Sequence, residues 1–137
     1  MTYKNLVKLV ETICLDQPNI RSFIEGDVYT LNSITPKYIA TCLTLQNRRD
    51  VNGFSYYVVY LFYVDRLKKD LSNDQQIVSS GIDALTTIVN RLRNSDGVFW
   101  DESYAVTLTP FHERFSDECS GVMANFTIPV LNEPECE

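Results

Sequence analysis

Residues 54–65, FSYYVVYLFYVD, constrain the fold of this 137-residue chain more than any other stretch. At the two-residue period of a strand, Phe54, Tyr56, Val58, Tyr60, Phe62 and Val64 fall on one face. Tyr57, Val59, Leu61 and Tyr63 fall on the other. A sheet with one solvated face alternates apolar and polar residues, so a strand that is apolar on both faces has to be covered on both. One face is expected to meet helices and the other a neighbour. At this length the chain builds one domain around one core, and the aromatic run reads as core plus subunit interface. The face of Tyr57, Val59, Leu61 and Tyr63, with Asp65 and Arg66 at its end, is assigned to that oligomer interface.

The flanking segments supply the helices. Leu6, Val7, Val10, Ile13 and Cys14 draw an apolar stripe on a first helix, with Thr2 placed to cap it and Pro18 to close it. Lys4, Lys8, Glu11 and Asp16 interrupt that segment, so it reads neither as a signal peptide nor as a membrane span. A short strand follows, turning at Gly26-Asp27, and then a strand over 38–45. QNRRDVNG at 46–53 has the charges and Asn-Gly signal of a hairpin loop, with Arg48-Arg49 at its tip. At LSNDQQ the period becomes helical: Ser72 with Gln75, or Asn73 with Gln76, fits a capping box, and Asp74 suits the helix dipole. Val78, Ile82, Leu85, Val89 and Leu92, widened by Ile77 and Ile88, form the stripe of this second helix, which NSDG ends after Arg91 and Arg93.

The last third returns to strand. Residues 97–103 and 104–110 read as one hairpin or a bent pair, with Tyr104, Val106 and Leu108 on one face; 110–121 read as a polar loop anchored by Phe111 and Phe115. Val122, Ala124, Phe126, Ile128 and Val130 then line one side of a final strand, and a loose tail is expected from about 131 to 137. The expectation is one α+β domain over 1–137, a mostly antiparallel sheet packed against two main helices.

Chemistry-bearing residues are sparse. A formal net charge of -6 argues against a general nucleic-acid binder, which needs a basic surface. Cys14, Cys42, Cys119 and Cys136 make no C-x-x-C pair and have no neighbouring His, so buried reduced thiols are expected rather than a zinc or redox site. Asn125-Phe126-Thr127 matches a glycosylation acceptor but falls in a strand of a chain with no export signal. Asp65 and Asp70 with Arg66, Lys68 and Lys69 read as a wet strand-to-helix hinge, since no phosphate loop or third carboxylate accompanies them. His112, the only histidine, has Glu113, Ser116 and Asp117 in its loop but no nucleophile-elbow context. The aromatic set Tyr56, Tyr57, Tyr60, Phe62 and Tyr63 lacks the interleaved Lys and Arg of a base-stacking platform. No catalytic residue, metal ligand or cofactor is assigned, and a non-enzymatic role is expected.

Taken in order, the N-terminal helix leading to FIEGDVYTLNS, the long hairpin, YVDRLKKDLSNDQQIVSSGIDALTTIVNRL and TPFHERFSDECSGVMANFTIPV resemble the small neck or tail-completion proteins of tailed bacteriophages. The blocks are similar to structural proteins of phages of gut Bacteroidetes, including crAss-like phages. The resemblance implies a virion protein, assembled in the bacterial cytoplasm, that forms a homo-oligomeric ring at the head–tail neck. Such a ring is a tail terminator, a tail-completion ring or a head-side connector. Its partners would be copies of itself and adjacent portal, adaptor or tail-tube rings. DNA would pass through the channel without specific binding, and no membrane is involved. Asn47, Arg48, Arg49 and Asp50 on the hairpin, and Phe111, His112, Glu113, Arg114 and Phe115 on the late loop, are the implied contacts between rings. Two other readings stay open: an interaction module that does not form rings, and a small enzyme using Asp65, Asp70 or His112.

Overall fold

The computed structural model describes residues 1–27, 36–68, 72–100, 105–114 and 119–131. Helix α1 spans Tyr3–Leu15 because Thr2 Oγ1 accepts a 3.2 Å bond from the Asn5 amide at its start. At its end the chain tightens, with the Gln17 amide bonding the Cys14 carbonyl just ahead of Pro18. Strands β1 (Ser22–Glu25), β2 (Ala40–Val51) and β3 (Phe54–Arg66) follow, then helix α2 (Asp74–Arg93), β4 (Thr107–Arg114) and β5 (Cys119–Leu131). The five strands form one mixed sheet in the order β1-β2-β3-β5-β4. Only β1 and β2 run parallel; the other pairs are antiparallel. The fold is α+β, a sheet packed against two helices.

Both helices lie on one face of the sheet, and they cover the face that the sequence assigns to a subunit interface. Tyr57, Val59, Leu61 and Tyr63 are all buried in the main core with Leu6, Val10, Leu85, Ile88 and Leu92 of the helices. That assignment is therefore reversed: these four side chains are already covered within the subunit. The physical reason lies in β5. Every second residue from Val122 to Val130 is apolar, and the register pairs Tyr57 with Ile128, Val59 with Phe126, Leu61 with Ala124 and Tyr63 with Val122. The Val122–Val130 side of β5 thus extends the Tyr57 side of β3, and the helices bury the more apolar surface.

Helix α2 packs through a stripe displaced from the expected one. Ile77, Gly81, Leu85, Ile88, Val89 and Leu92 are buried, whereas Ile82 is 38% exposed. Gly81 sets this rotation: a Cβ there would stand 2.9 Å from both Tyr63 Cδ1 and Val122 Cγ2, so the bare backbone lets the helix approach the sheet. Nor does Asn73 form the capping box with Gln76. Asn73 makes no side-chain cap; its Oδ1 accepts from the Lys68 amide at 2.8 Å and its Nδ2 donates to the Arg66 carbonyl at 3.1 Å. It pins the end of β3 to the start of α2. Asp70 and Lys69 lie outside the described residues.

The expected loop at 46–53 is mostly strand. β2 continues to Val51 across a bulge between Leu45 and Asn47, and only Asn52-Gly53 turns, with φ of 52° and 83°. Two successive positive φ values make the turn whose twist matches a hairpin, and Asn-Gly is the pair that adopts it most cheaply. Beyond the four residues of β1, this half of β2 is an edge among the described residues, and edges carry charge to discourage stray pairing. Likewise Phe111, His112, Glu113 and Arg114 belong to β4 rather than to a loop, and of the segment expected as a strand over 97–103 the described part, 97–100, makes a single bridge, Val98 to Val130. The side chains of Glu113 and Arg114, all of Phe115, Ser116, Asp117 and Tyr104, and the tail from 132 lie outside the description. Leu131 itself is paired, opposite Phe54.

Candidate functional site

The opposite face of the sheet has no helix over it among the described residues. Cys42, Phe62, Val64, Phe111 and Cys119 form a small buried layer there, with Ile24, Tyr38, Tyr60 and Met123 against it. Phe62 meets Phe111 edge-on at 6.1 Å, across a gap left by Gly121. A Cβ on Gly121 would reach 2.9 Å from Phe111 Cζ and run into the Tyr63 carbonyl, so only glycine lets the ring lie across β5. Toward the hairpin the face opens. Phe54, Tyr56, Val58 and Tyr60 are half-buried, and Val51, Phe99 and Leu131 are exposed, with Phe54 edge-on to Phe99 at 5.7 Å. Strand alternation places only two charged side chains on this face along β2, β3 and β5: Arg49, over the Tyr56 ring at 5.6 Å, and Arg66 at the far end.

The hairpin residues make contacts of their own. Arg48 covers the Tyr57 ring at 5.5 Å and places its Nε 2.9 Å from Asp50 Oδ1, which also accepts from Ser55 Oγ at 2.8 Å. Arg48 and Ser55 together hold the Asp50 carboxyl below its usual range. Asn47 pairs with Val58 on the open face. At the other end of β3, Asp65 is half-buried and accepts from the Arg66 amide at 2.8 Å; burial raises its pKa. Asp65 and Arg66 thus share a backbone bond rather than an ion pair.

A second constellation joins three elements. Asp74, the first residue of α2, accepts a hydrogen bond from Ser120 Oγ of β5, and the His112 Nδ1 of β4 lies 2.8 Å from its carboxylate. The Ser120 bond first, and His112 second, hold the Asp74 carboxyl below its usual range. In a nucleophilic relay the imidazole stands between acid and hydroxyl. Here the carboxylate stands between them, and Ser120 is fully buried. The arrangement latches β4 and β5 to the N-terminus of α2. Reading the sequence placed Asp74 for the helix dipole but sought partners for His112 inside its own loop; the actual partner is 38 residues upstream.

Cys14, Cys42 and Cys119 are free and buried, and burial pushes Cys14 up to about 12 and Cys42 up to about 11, which disfavours the reactive thiolate at those two. No group of three or more acidic, His or Cys side chains able to hold a metal occurs among the described residues, and no described helix is long and apolar enough to cross a membrane.

The class these features define is an α+β protein whose five-stranded sheet carries both helices on one face and leaves a weakly charged aromatic face on the other. Compared with known proteins, the chain matches no family model and no curated protein.

Proposed function

We propose that this protein is a non-enzymatic virion subunit that assembles into a homo-oligomeric ring at the head–tail neck of a tailed phage, as a tail-terminator, tail-completion or connector ring with a channel for DNA. The observation that carries the reading is the sheet face that no helix covers among the described residues. Phe54, Tyr56, Val58 and Tyr60 remain half-buried while Val51, Phe99 and Leu131 are exposed beside them, a surface suited to burial against another subunit. A ring needs two different patches on each subunit, and a sheet with helices on one face and, among the described residues, none on the other offers them. The net charge of -6 suits a wall past which DNA phosphates slide. In this reading, Asn47, Arg48, Arg49 and Asp50 of the hairpin, and His112 of β4, would make the contacts with adjoining portal, adaptor or tail-tube rings.

The test is light scattering on a sizing column across concentration, followed by electron microscopy. Rings with a central channel are the expected species. Val58→Lys with Tyr60→Lys should leave a folded monomer, because both side chains project from the open face. A strict monomer that is also missing from purified virions would overturn the reading in favour of a non-assembling interaction module.

A further inference from the structure

The turn that joins β2 to β3 is also a chemically reactive pair. Of the ten asparagines in the chain, only Asn52 is followed by glycine. Asn52 and Gly53 are both exposed, and φ values of 52° and 83° place the two of them in the left-handed region. In such a turn the bonds that close the hairpin belong to the flanking pair, here Val51 and Phe54, so the Gly53 N–H is left to solvent. Neither that N–H nor the Asn52 carboxamide makes a hydrogen bond among the described residues.

The Gly53 nitrogen and Asn52 Cγ are spaced along the chain to close a five-membered ring. Closure requires the peptide between them to rotate until the nitrogen faces Cγ. The surroundings leave room for that rotation, because a Cβ built on Gly53 would find no atom within 4 Å and glycine brings no side chain of its own. The tip of an exposed hairpin is also where local opening costs least. Other asparagines are held differently. Asn73 spends its carboxamide on the Lys68 amide and the Arg66 carbonyl, and Asn94 donates to the Asn90 carbonyl at 2.9 Å. Asn47, Asn90 and Asn125 lie inside strands or a helix and precede bulky residues that crowd the attacking nitrogen. Asp96-Gly97 is the nearest rival, but a carboxylate is a poor electrophile and a Cβ on Gly97 would stand 2.8 Å from Met1 Cε.

We propose that Asn52 is a self-modifying site, deamidated through a succinimide with the Gly53 nitrogen as nucleophile and water as the only other reactant. Base takes the Gly53 amide proton and the nitrogen bonds to Cγ. The Cγ–Nδ2 bond breaks, and the amide nitrogen leaves as ammonia with a proton returned from water. Water then opens the ring. Cleavage of the bond to Cγ restores the main chain and leaves an aspartate, whereas cleavage at the main-chain carbonyl carbon routes the chain through Cγ and leaves an isoaspartate. Either product puts a negative charge on the tip of the hairpin that carries Arg48 and Arg49, and the isoaspartate lengthens a two-residue turn by one main-chain carbon. The hairpin thus changes charge and shape as the protein ages. The proposal goes beyond the ring reading and does not rest on it.

The experiment incubates the folded full chain in mildly alkaline buffer, with a urea-unfolded sample alongside, and follows both by isoelectric focusing and by mass spectrometry of their peptides. A band one charge more acidic than the starting protein should accumulate in the folded sample. The peptide containing residue 52 should carry the matching gain in mass, with isoaspartate as the larger product. Asn52→Gln, whose longer side chain would have to close a slower six-membered ring, should lose that band. Earlier conversion at another asparagine, or an acidic band that persists in Asn52→Gln, would overturn the site. Conversion at residue 52 in urea but not in the folded chain would overturn it as well, since the native turn would then hold the nitrogen away from Cγ.

Discussion

Asp74 holds more of this fold together than its place in a helix's first turn announces. Its carboxylate joins α2 to β4 through His112 and to β5 through Ser120. Asp74→Asn or Ser120→Ala should each lower stability by about 1–2 kcal/mol at neutral pH, read from urea midpoints. Because the folded carboxyl titrates below its unfolded value near 3.9, its contribution is complete above that value and is lost as pH falls through the folded one. The advantage of wild type over Asp74→Asn should therefore persist to alkaline pH and shrink below about pH 4. An advantage unchanged at pH 3 would remove Asp74 from this role. The residue's preference for a helix start was legible, because the dipole is a local effect. Its partners, 38 and 46 residues away, were not, because nothing local records which side chains a sheet will bring to that point.

Elements were legible where burial writes a period and illegible where exposure erases it. The stripe Leu6, Val10, Ile13, Cys14 and the alternation from Val122 to Val130 come through as buried faces. Residues 46–51 looked like loop because an edge strand is guarded by the same charged residues that mark a turn. The rotation of α2 went unread because Gly81 contributes nothing to an apolar stripe, yet it is where the helix comes closest to the sheet. The α2 start is also a correction in kind: Asn73 bridges Arg66 and Lys68 rather than capping. Asn73→Ala should cost about 1 kcal/mol, with hydrogen exchange at the Lys68 amide accelerating ahead of amides in the middle of α2. Equal protection at Lys68 in both proteins would return Asn73 to a capping role.

At the scale of the molecule, the sequence announced a strand covered on both sides but not which side the helices would take, since that choice is settled by the register with β5. One main core then runs from α1 to the end of β5. Trp100, the only tryptophan, reports on it: the indole packs on Phe126 at 5.8 Å and under the Arg93 guanidinium at 5.1 Å. Its fluorescence and far-UV circular dichroism should lose their native signals at the same urea concentration, and separated midpoints would divide the core into independent units. The strand order also sets a schedule. β3 pairs at once with β2, but its other edge is closed only by β5, so residues 67–131 must be made first. At 5–20 residues per second the ribosome leaves the most apolar strand of the chain with an open side for roughly 3–13 s. Newborn copies crowded on one messenger are therefore most prone to tangle through β3, and a chaperone that shields that edge should raise the yield of soluble protein more than one that acts after release.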